Sequence, residues 1–418
     1  MAAQSASSLQ LPSSLFPRLL LPVLLLFLLG FEPTVLGIAR TTSGDVVGTF
    51  ESPHPGSKFE HLTVNKQKPT LYVGAVNYLY SLYGDLSLWQ EVKTGPQKDN
   101  PDCPPPMVQF TECVHTKKDM DSYNKALVVD YKNQRLIACS SLFHGFCEKR
   151  NLDDISQRDT PSYQPVVANN KNSSTVAYIA PGPPKEPGQV QPDVLYVSVS
   201  WTRVGQSIWR ERVPAFASRN LTDFNLAIRN QFRQTVIKIE VQQRESFPVS
   251  YIYGFGSEGF SYMITIQKRS AQSEEYISKI FRVCQRDENF YSYVEVELKC
   301  SKGATNYNLV QAAYLGRPGK NLARQLKIPT TEDVLFTVFS KGHDSSQNPT
   351  AESALCMYPM RKVRRIFTEN IQKCFSGIGN TGPDHIAKPV QCLKNTVSTE
   401  NRKRVTVEEV LSCFVDYQ

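Results

Sequence analysis

Short strands follow one another along most of this chain, and that succession leaves few folds open. Residues 70–75 and 77–83 form one candidate pair, and 126–131 and 136–140 form another. Further candidates run over 194–201, 235–242, 249–253, 260–267, 276–283, 291–298, 334–340 and 353–360. These runs are rich in β-branched and aromatic residues, and the turns between them carry Gly, Asn, Asp or Lys. Many short strands with such punctuation predict an all-β sandwich, barrel or propeller. No strict repeat is visible, so a bladed fold would be degenerate in sequence.

Two stretches break the pattern. Within 362–373, Val363, Ile366, Phe367 and Ile371 fall on one face of a helix, opposite Arg364, Arg365 and Glu369. This predicts a short helical insertion docked on the β domain. Residues 180–192 carry five prolines and two glycines and are expected to form a loop.

Gly254, Gly256 and Gly259 spell G-x-G-x-x-G, the spacing that cradles a dinucleotide pyrophosphate. That chemistry needs a strand before the motif and a helix after it, so that the helix N-terminus faces the phosphate. Here an alternating, strand-like run, Phe260 to Gln267, follows. The motif is therefore read as the turn of a hairpin. A nucleophile elbow is excluded because Phe255 stands where its first glycine belongs. The carboxylate pairs Asp153-Asp154 and Glu274-Glu275 read as solvated loop acids, and no enzymatic activity is expected. A propeller glycosidase, whose carboxylates need no local motif, is the enzymatic alternative.

The N-terminus sets the compartment. Arg18 precedes an apolar run from Leu19 to Leu29, with small residues at Gly30, Gly37 and Ala39. This is the pattern of a secretory signal peptide over residues 1–37, and the apolar run is short for a bilayer span, which takes roughly 20 residues. The domain is placed over residues 40–418, secreted or on the extracellular side of the plasma membrane. Membrane attachment is expected only through a region beyond this chain. Ten cysteines follow the signal. In an oxidising compartment an even count points to disulfides, and without C-x-x-C or a histidine cluster no metal or cofactor is expected. The net charge of +8 is spread out, with runs at 361–365 and 402–404. These read as solvated surface or as contacts for a sulfated glycan; nucleic acid is not expected as a partner of an extracellular chain. The sequons at Asn172 and Asn220 are candidate glycosylation sites.

Three runs carry a resemblance. They are Leu71-Tyr-Val-Gly-Ala-Val-Asn-Tyr-Leu-Tyr-Ser-Leu82, then Thr94-Gly-Pro-Gln-Lys-Asp-Asn-Pro-Asp-Cys103-Pro-Pro-Pro106, then Leu127 through Cys139 to Cys147. They resemble the sema domain of plexins, cell-surface receptors for semaphorins. The stretches Cys284-Gln-Arg-Asp, Ser292 to Cys300, Leu335 to Gly342 and Ser353-Ala-Leu-Cys356 are similar too. One departure is Ser140, where plexins usually carry Gly.

The resemblance implies a seven-bladed β-propeller, incomplete at its C-terminus in this chain. It implies the pairings Cys103–Cys113, Cys139–Cys147, Cys300–Cys356, Cys374–Cys392 and Cys284–Cys413. It implies a part in axon guidance and cell-migration signalling, with a semaphorin sema domain as partner, beside a co-receptor or sulfated glycan. A semaphorin-type ligand or a secreted decoy is the alternative. The segment 213–221 is similar to a plexin stretch at the semaphorin-facing edge, so Val213 and Arg219 are the expected ligand contacts. Phe216 and Leu221 of the same segment read as core.

Overall fold

The computed structural model describes residues 48–107, 112–186, 188–375 and 385–387. The expected signal peptide, Cys392, Cys413 and the basic run at 402–404 lie outside them. All that follows concerns the unit that begins at Phe50.

Five antiparallel sheets follow one another, each with its strands in chain order. The first holds β1 (Phe59–Asn65), β2 (Thr70–Ala75), β3 (Tyr78–Tyr83) and β4 (Leu88–Lys93). A hairpin of β5 (Gln97–Asp99) and β6 (Lys118–Met120) leads to the second sheet, β7 (Asn124–Asp130), β8 (Arg135–Ser140) and β9 (Cys147–Asn151). The third holds β10 (Thr175–Pro181), β11 (Asp193–Val199), β12 (Phe216–Asn220) and β13 (Val236–Ile237). The fourth holds β14 (Ser250–Ser257), β15 (Phe260–Lys268), β16 (Tyr276–Cys284) and β17 (Val294–Glu297). After the hairpin β18 (Cys300–Lys302) and β19 (Thr305–Tyr307), the fifth holds β20 (Leu309–Gly316), β21 (Val334–Gly342) and β22 (Pro349–Pro359). First strands are neighbours in series: β1 lies by β7, β7 by β10, β10 by β14 and β14 by β20. Sheets whose first strands gather side by side while later strands step outward are the blades of a β-propeller. Five blades fall within the described residues; the expectation of seven reaches beyond them.

The core lies between blades, which is why the inner strands are apolar on both faces. Tyr72 and Leu79 of blade 1 meet Leu127 and Leu136 of blade 2. Ile137 and Cys139 meet Leu195 and Val197 of blade 3. Tyr196 and Phe216 meet Met263 and Phe281 of blade 4. Tyr262, Ile264 and Ile280 meet Leu309, Leu335 and Phe339 of blade 5. Every residue of β15 is buried, as for a strand sandwiched on both faces.

The glycine motif sits inside this packing. Gly254 and Gly256 belong to β14, and Glu258 and Gly259, both with positive φ, make the two-residue turn into β15. A Cβ on Gly254 would come within 2.4 Å of the Tyr178 ring on β10. These glycines let two blades approach; no helix follows them.

Strands at 59–65, 88–93, 147–151, 175–181, 216–220 and 309–316 were not among the sequence expectations. β1, β4 and β20 are half solvated and carry polar residues, which weakens the periodic signal. The expected strand at 235–242 shrinks to Val236–Ile237, followed by a 3-10 turn at Val241–Gln243. Ser140 ends β8 with an ordinary strand backbone, its hydroxyl 2.8 Å from that of Ser122. A glycine is not required there.

Three helices are described: α1 (Ser207–Arg210), α2 (Lys320–Leu326) and α3 (Met360–Phe375). α3 is the expected helical insertion. It buries Met360, Val363 and Phe367 against the core between blades 4 and 5.

Candidate partner-binding face

One side of blades 2 to 4 is built from long connections. The β11–β12 connection of blade 3 carries Trp201, α1 and Val213. Gly205 within it has φ +83°, and a Cβ there would lie 2.5 Å from the Pro101 carbonyl oxygen; only glycine fits. The next residue, Gln206, donates through Nε2 to the Asp102 carbonyl at 2.8 Å. The disulfide loop of Cys103 and Cys113 therefore leans on the start of α1. From the other flank, Arg203 pairs with Glu245 at 2.8 Å, and Arg244 pairs with Glu211. Both partners lie in the connection from blade 3 to blade 4.

Arginine and tryptophan alternate across this surface. The Arg210 guanidinium lies 5.4 Å from the centre of the Trp201 ring, and that of Arg212 lies 4.7 Å from the centre of Trp209. Each is a cation–π contact, worth about 0.5–1 kcal/mol at exposed sites. Ile208, in the same helix as Trp209 and Arg210, is 59% exposed, and Arg212 is exposed. Trp209 is buried beneath, its ring 6.2 Å from that of His144 on blade 2. The His144 Nε2 lies 2.6 Å from the Cys103 carbonyl oxygen, and burial pushes the imidazole pKa down. An exposed apolar residue close in sequence to stacked arginines, on a connection braced at both ends, is the composition of a protein-binding surface.

The two residues expected at the ligand differ in position. Val213 is half-buried and packs on the core between blades 2 and 3. Arg219 belongs to β12 and is 4% exposed. Its Nη1 donates to the Phe224 carbonyl at 2.9 Å, and burial draws its pKa down to about 10. This corrects the sequence reading: Arg219 braces the turn after β12 and presents no charge at the surface. Phe216 to Arg219 are all buried, so β12 is covered on both faces, which a lone segment does not reveal. Phe216 and Leu221 are buried, as core residues. Sequence reasoning missed Trp201, Trp209, Arg210 and Arg212, although the spacing in Trp201-Thr-Arg-Val-Gly-Gln-Ser-Ile-Trp-Arg-Glu-Arg212 carries the signal.

Three disulfides are described: Cys103–Cys113, Cys139–Cys147 and Cys300–Cys356. Cys139 and Cys147 are register partners across β8 and β9. Cys284 is also disulfide-bonded; Cys413, its expected partner, lies outside the described residues. Cys374 lies in α3, and Cys392 lies outside. Asn172 is exposed, and Asn220 is half-buried.

Three of the acids weighed for catalysis are engaged in ion pairs, and Asp154 accepts hydrogen bonds from Ser156 and Gln157. Asp153 meets Lys68, Glu274 meets Lys268 at 2.9 Å, and Glu275 meets Arg269 at 2.7 Å. The Ser257 hydroxyl donates to Asp333 at 3.1 Å. Of the basic run at 361–365, Arg361 pairs with Glu332, Arg364 with Glu258 and Arg365 with Glu369.

Comparison with known proteins gives these features a context. The sema-domain model matches residues 310–417. Plexin-A2 of Mus musculus is 33% identical over 386 residues, 87% of this chain and 20% of its own length. Plexin A3 of Danio rerio is 32% identical over 370 residues, 84% of this chain and 19% of its own length. The chain thus spans about a fifth of the length of these curated relatives. A structure of the plexin A4 full extracellular region superposes with a TM-score of 0.69 at 30% identity, over 82% of this chain and 39% of that one. Blade order, inter-blade core and sequence similarity agree, and the chain belongs to the plexin family, which it matches through the sema domain.

Proposed function

We infer that this chain is the extracellular semaphorin-binding region of a plexin-type receptor, acting in axon guidance and cell-migration signalling. The observation that carries the reading is the braced Trp–Arg surface on blade 3 of a plexin-type propeller. Its contacts with a semaphorin sema domain centre on Ile208 and Arg212, with Val213 at the margin. Arg361, Arg364 and Arg365 of α3 are ion-paired, whereas Arg212 is exposed and has no ion pair among the described residues, so glycan or co-receptor contact is assigned to the surface around Arg212. Cys374–Cys392 and Cys284–Cys413 complete the disulfide set, and Asn172 and Asn220 carry glycans.

The test is semaphorin affinity by surface plasmon resonance on the complete ectodomain carrying Ile208→Glu, Arg212→Glu or Val213→Glu. A loss of tenfold or more, about 1.4 kcal/mol, with unchanged melting, is expected for Ile208→Glu and Arg212→Glu. Wild-type affinity in all three removes this surface from the interface. Binding to immobilised plexin in place of semaphorin would instead support the semaphorin-type ligand reading.

A further inference from the structure

Beneath α1 lies a small cavity of ≈ 20 Å³, lined in part by His144, Asn169, Trp201, Trp209 and Arg210. Four buried polar atoms of these lining residues find no hydrogen-bond partner among the described residues. They are His144 Nδ1, Asn169 Oδ1, Trp201 Nε1 and Arg210 Nε. Buried polar groups are almost always paired, and each unpaired one costs about 1–3 kcal/mol. Four around one cavity therefore call for a common partner.

The chemistry of the four atoms specifies that partner. Trp201 Nε1 and Arg210 Nε can only donate. Arg210 Nη1 is already engaged, donating to the Arg203 carbonyl at 2.9 Å and the Gly205 carbonyl at 3.3 Å. Asn169 Nδ2 donates to the Val204 carbonyl at 3.0 Å, which fixes the amide and leaves Oδ1 as an acceptor. His144 Nε2 faces the Cys103 carbonyl, which can only accept, so Nε2 carries the proton. In the neutral ring Nδ1 is then an acceptor. The lining offers two donors and two acceptors. An anion would meet two lone pairs, and a cation would meet a guanidinium. A water molecule accepts two hydrogen bonds and donates two, and it needs roughly 10–15 Å³ of such space.

We propose that this cavity is a structural water site in which one buried water accepts from Trp201 Nε1 and Arg210 Nε and donates to His144 Nδ1 and Asn169 Oδ1. The four groups come from the β8–β9 loop of blade 2, the connection from blade 2 to blade 3, and the β11–β12 connection. The water cross-links them directly under α1. That helix has no side-chain N-cap, so this link, together with Gln206, holds it in place. The site stands independently of what binds the surface above it.

A crystal structure of the secreted chain, at a resolution that orders buried solvent, tests this directly. One peak is expected within hydrogen-bonding distance of all four atoms, roughly 2.7–3.2 Å. The absence of a peak, or side chains turned to bond one another, overturns the proposal. In solution, the chain labelled with ¹⁵N-tryptophan has three indole signals, from Trp89, Trp201 and Trp209. Trp201→Phe assigns the relevant one. A cross-peak from that indole proton to a long-lived water is expected, and an indole proton that shows none in the folded protein overturns the proposal even if the variant itself proves unstable.

Discussion

The guanidinium of Arg282 on β16 lies 4.6 Å from the centre of the Phe367 ring on α3. The Phe260 ring centre lies 4.0 Å from the same guanidinium. Phe367 is fully buried and also meets Tyr262 edge-on at 6.0 Å. The cation holds blade 4 and the helix together across a core otherwise apolar. Burial makes that cation costly, and its pKa is pushed down chiefly for that reason.

Phe367→Ala is therefore expected to destabilise the unit by about 3–5 kcal/mol, the range for removing a buried aromatic ring. The Arg282 cation also loses one of its two rings. Chemical denaturation measures the loss, and limited proteolysis within α3 reports whether the helix leaves the sheet. A change below about 1 kcal/mol would show that α3 does not contribute to the core.

Gly254→Ala tests the reading of the glycine motif. Its Cβ would press into the Tyr178 ring at 2.4 Å and the Met263 methyl at 2.8 Å. Overpacking of this kind costs roughly 1–3 kcal/mol. Gly303, with nothing near its Cβ position, shares no packing but has φ +59°, so Gly303→Asn, a residue tolerant of that conformation, is the neutral control. A melting temperature unchanged in Gly254→Ala would mean that blades 3 and 4 have room to separate.

Much of this fold was legible because the inner strands carry the signal themselves. β2, β8, β15 and β21 are apolar on both faces, and turns such as Asp130 to Gln134 announce themselves. Outer and half-solvated strands such as β4 and β9 were missed because their burial comes from neighbouring blades, which no local window contains. The same limit applied at the surface. Val213 and Arg219 were singled out by likeness of a segment, but neighbouring strands and blades cover β12 on both faces and hide Arg219. The cluster of Trp201, Trp209, Arg210 and Arg212 needs the disulfide loop and two connections to come together before it becomes a surface.

Acid is expected to weaken the unit. His144 and His61 both have pKa values lowered chiefly by burial, with the charge on Lys125 adding to the effect at His61. Native His144 and His61 stay neutral at a pH where the unfolded chain, at about 6.5, already takes up protons. The stability from their neutrality is fully present above that value and is lost as pH falls through it toward the lowered native pKa values. Each group contributes at most about 1.4 kcal/mol per pH unit across that window. Urea midpoints measured from pH 7.5 to 5.5 should fall, and less steeply in His144→Asn. A flat profile would show that both rings titrate normally in the folded chain.

The last prediction concerns the outward faces of the first and fifth blades. Register pairs Val338 with Leu355, and Tyr314 with Phe336, which pairs in turn with Met357. All of these lie on the face of blade 5 turned away from blade 4, where Tyr314 and Leu355 are each 66% exposed. On blade 1, Leu62 pairs with Val73 and Val64 with Leu71, so Phe59, Leu62 and Val64 share the face turned away from blade 2, and Leu62 is 62% exposed. Within the molecule, equivalent faces stack on a neighbouring blade four times. Contiguous apolar faces of this kind drive association when left in water. Residues 40–418 expressed alone are accordingly expected to self-associate, seen as concentration-dependent mass in light scattering after size-exclusion chromatography. The pair Tyr314→Lys and Leu355→Lys places charge on one of the two faces without touching the core, so it should shift the distribution toward monomer with little change in melting. A wild-type chain that runs as a monodisperse, cooperatively melting monomer would show that neither face drives association.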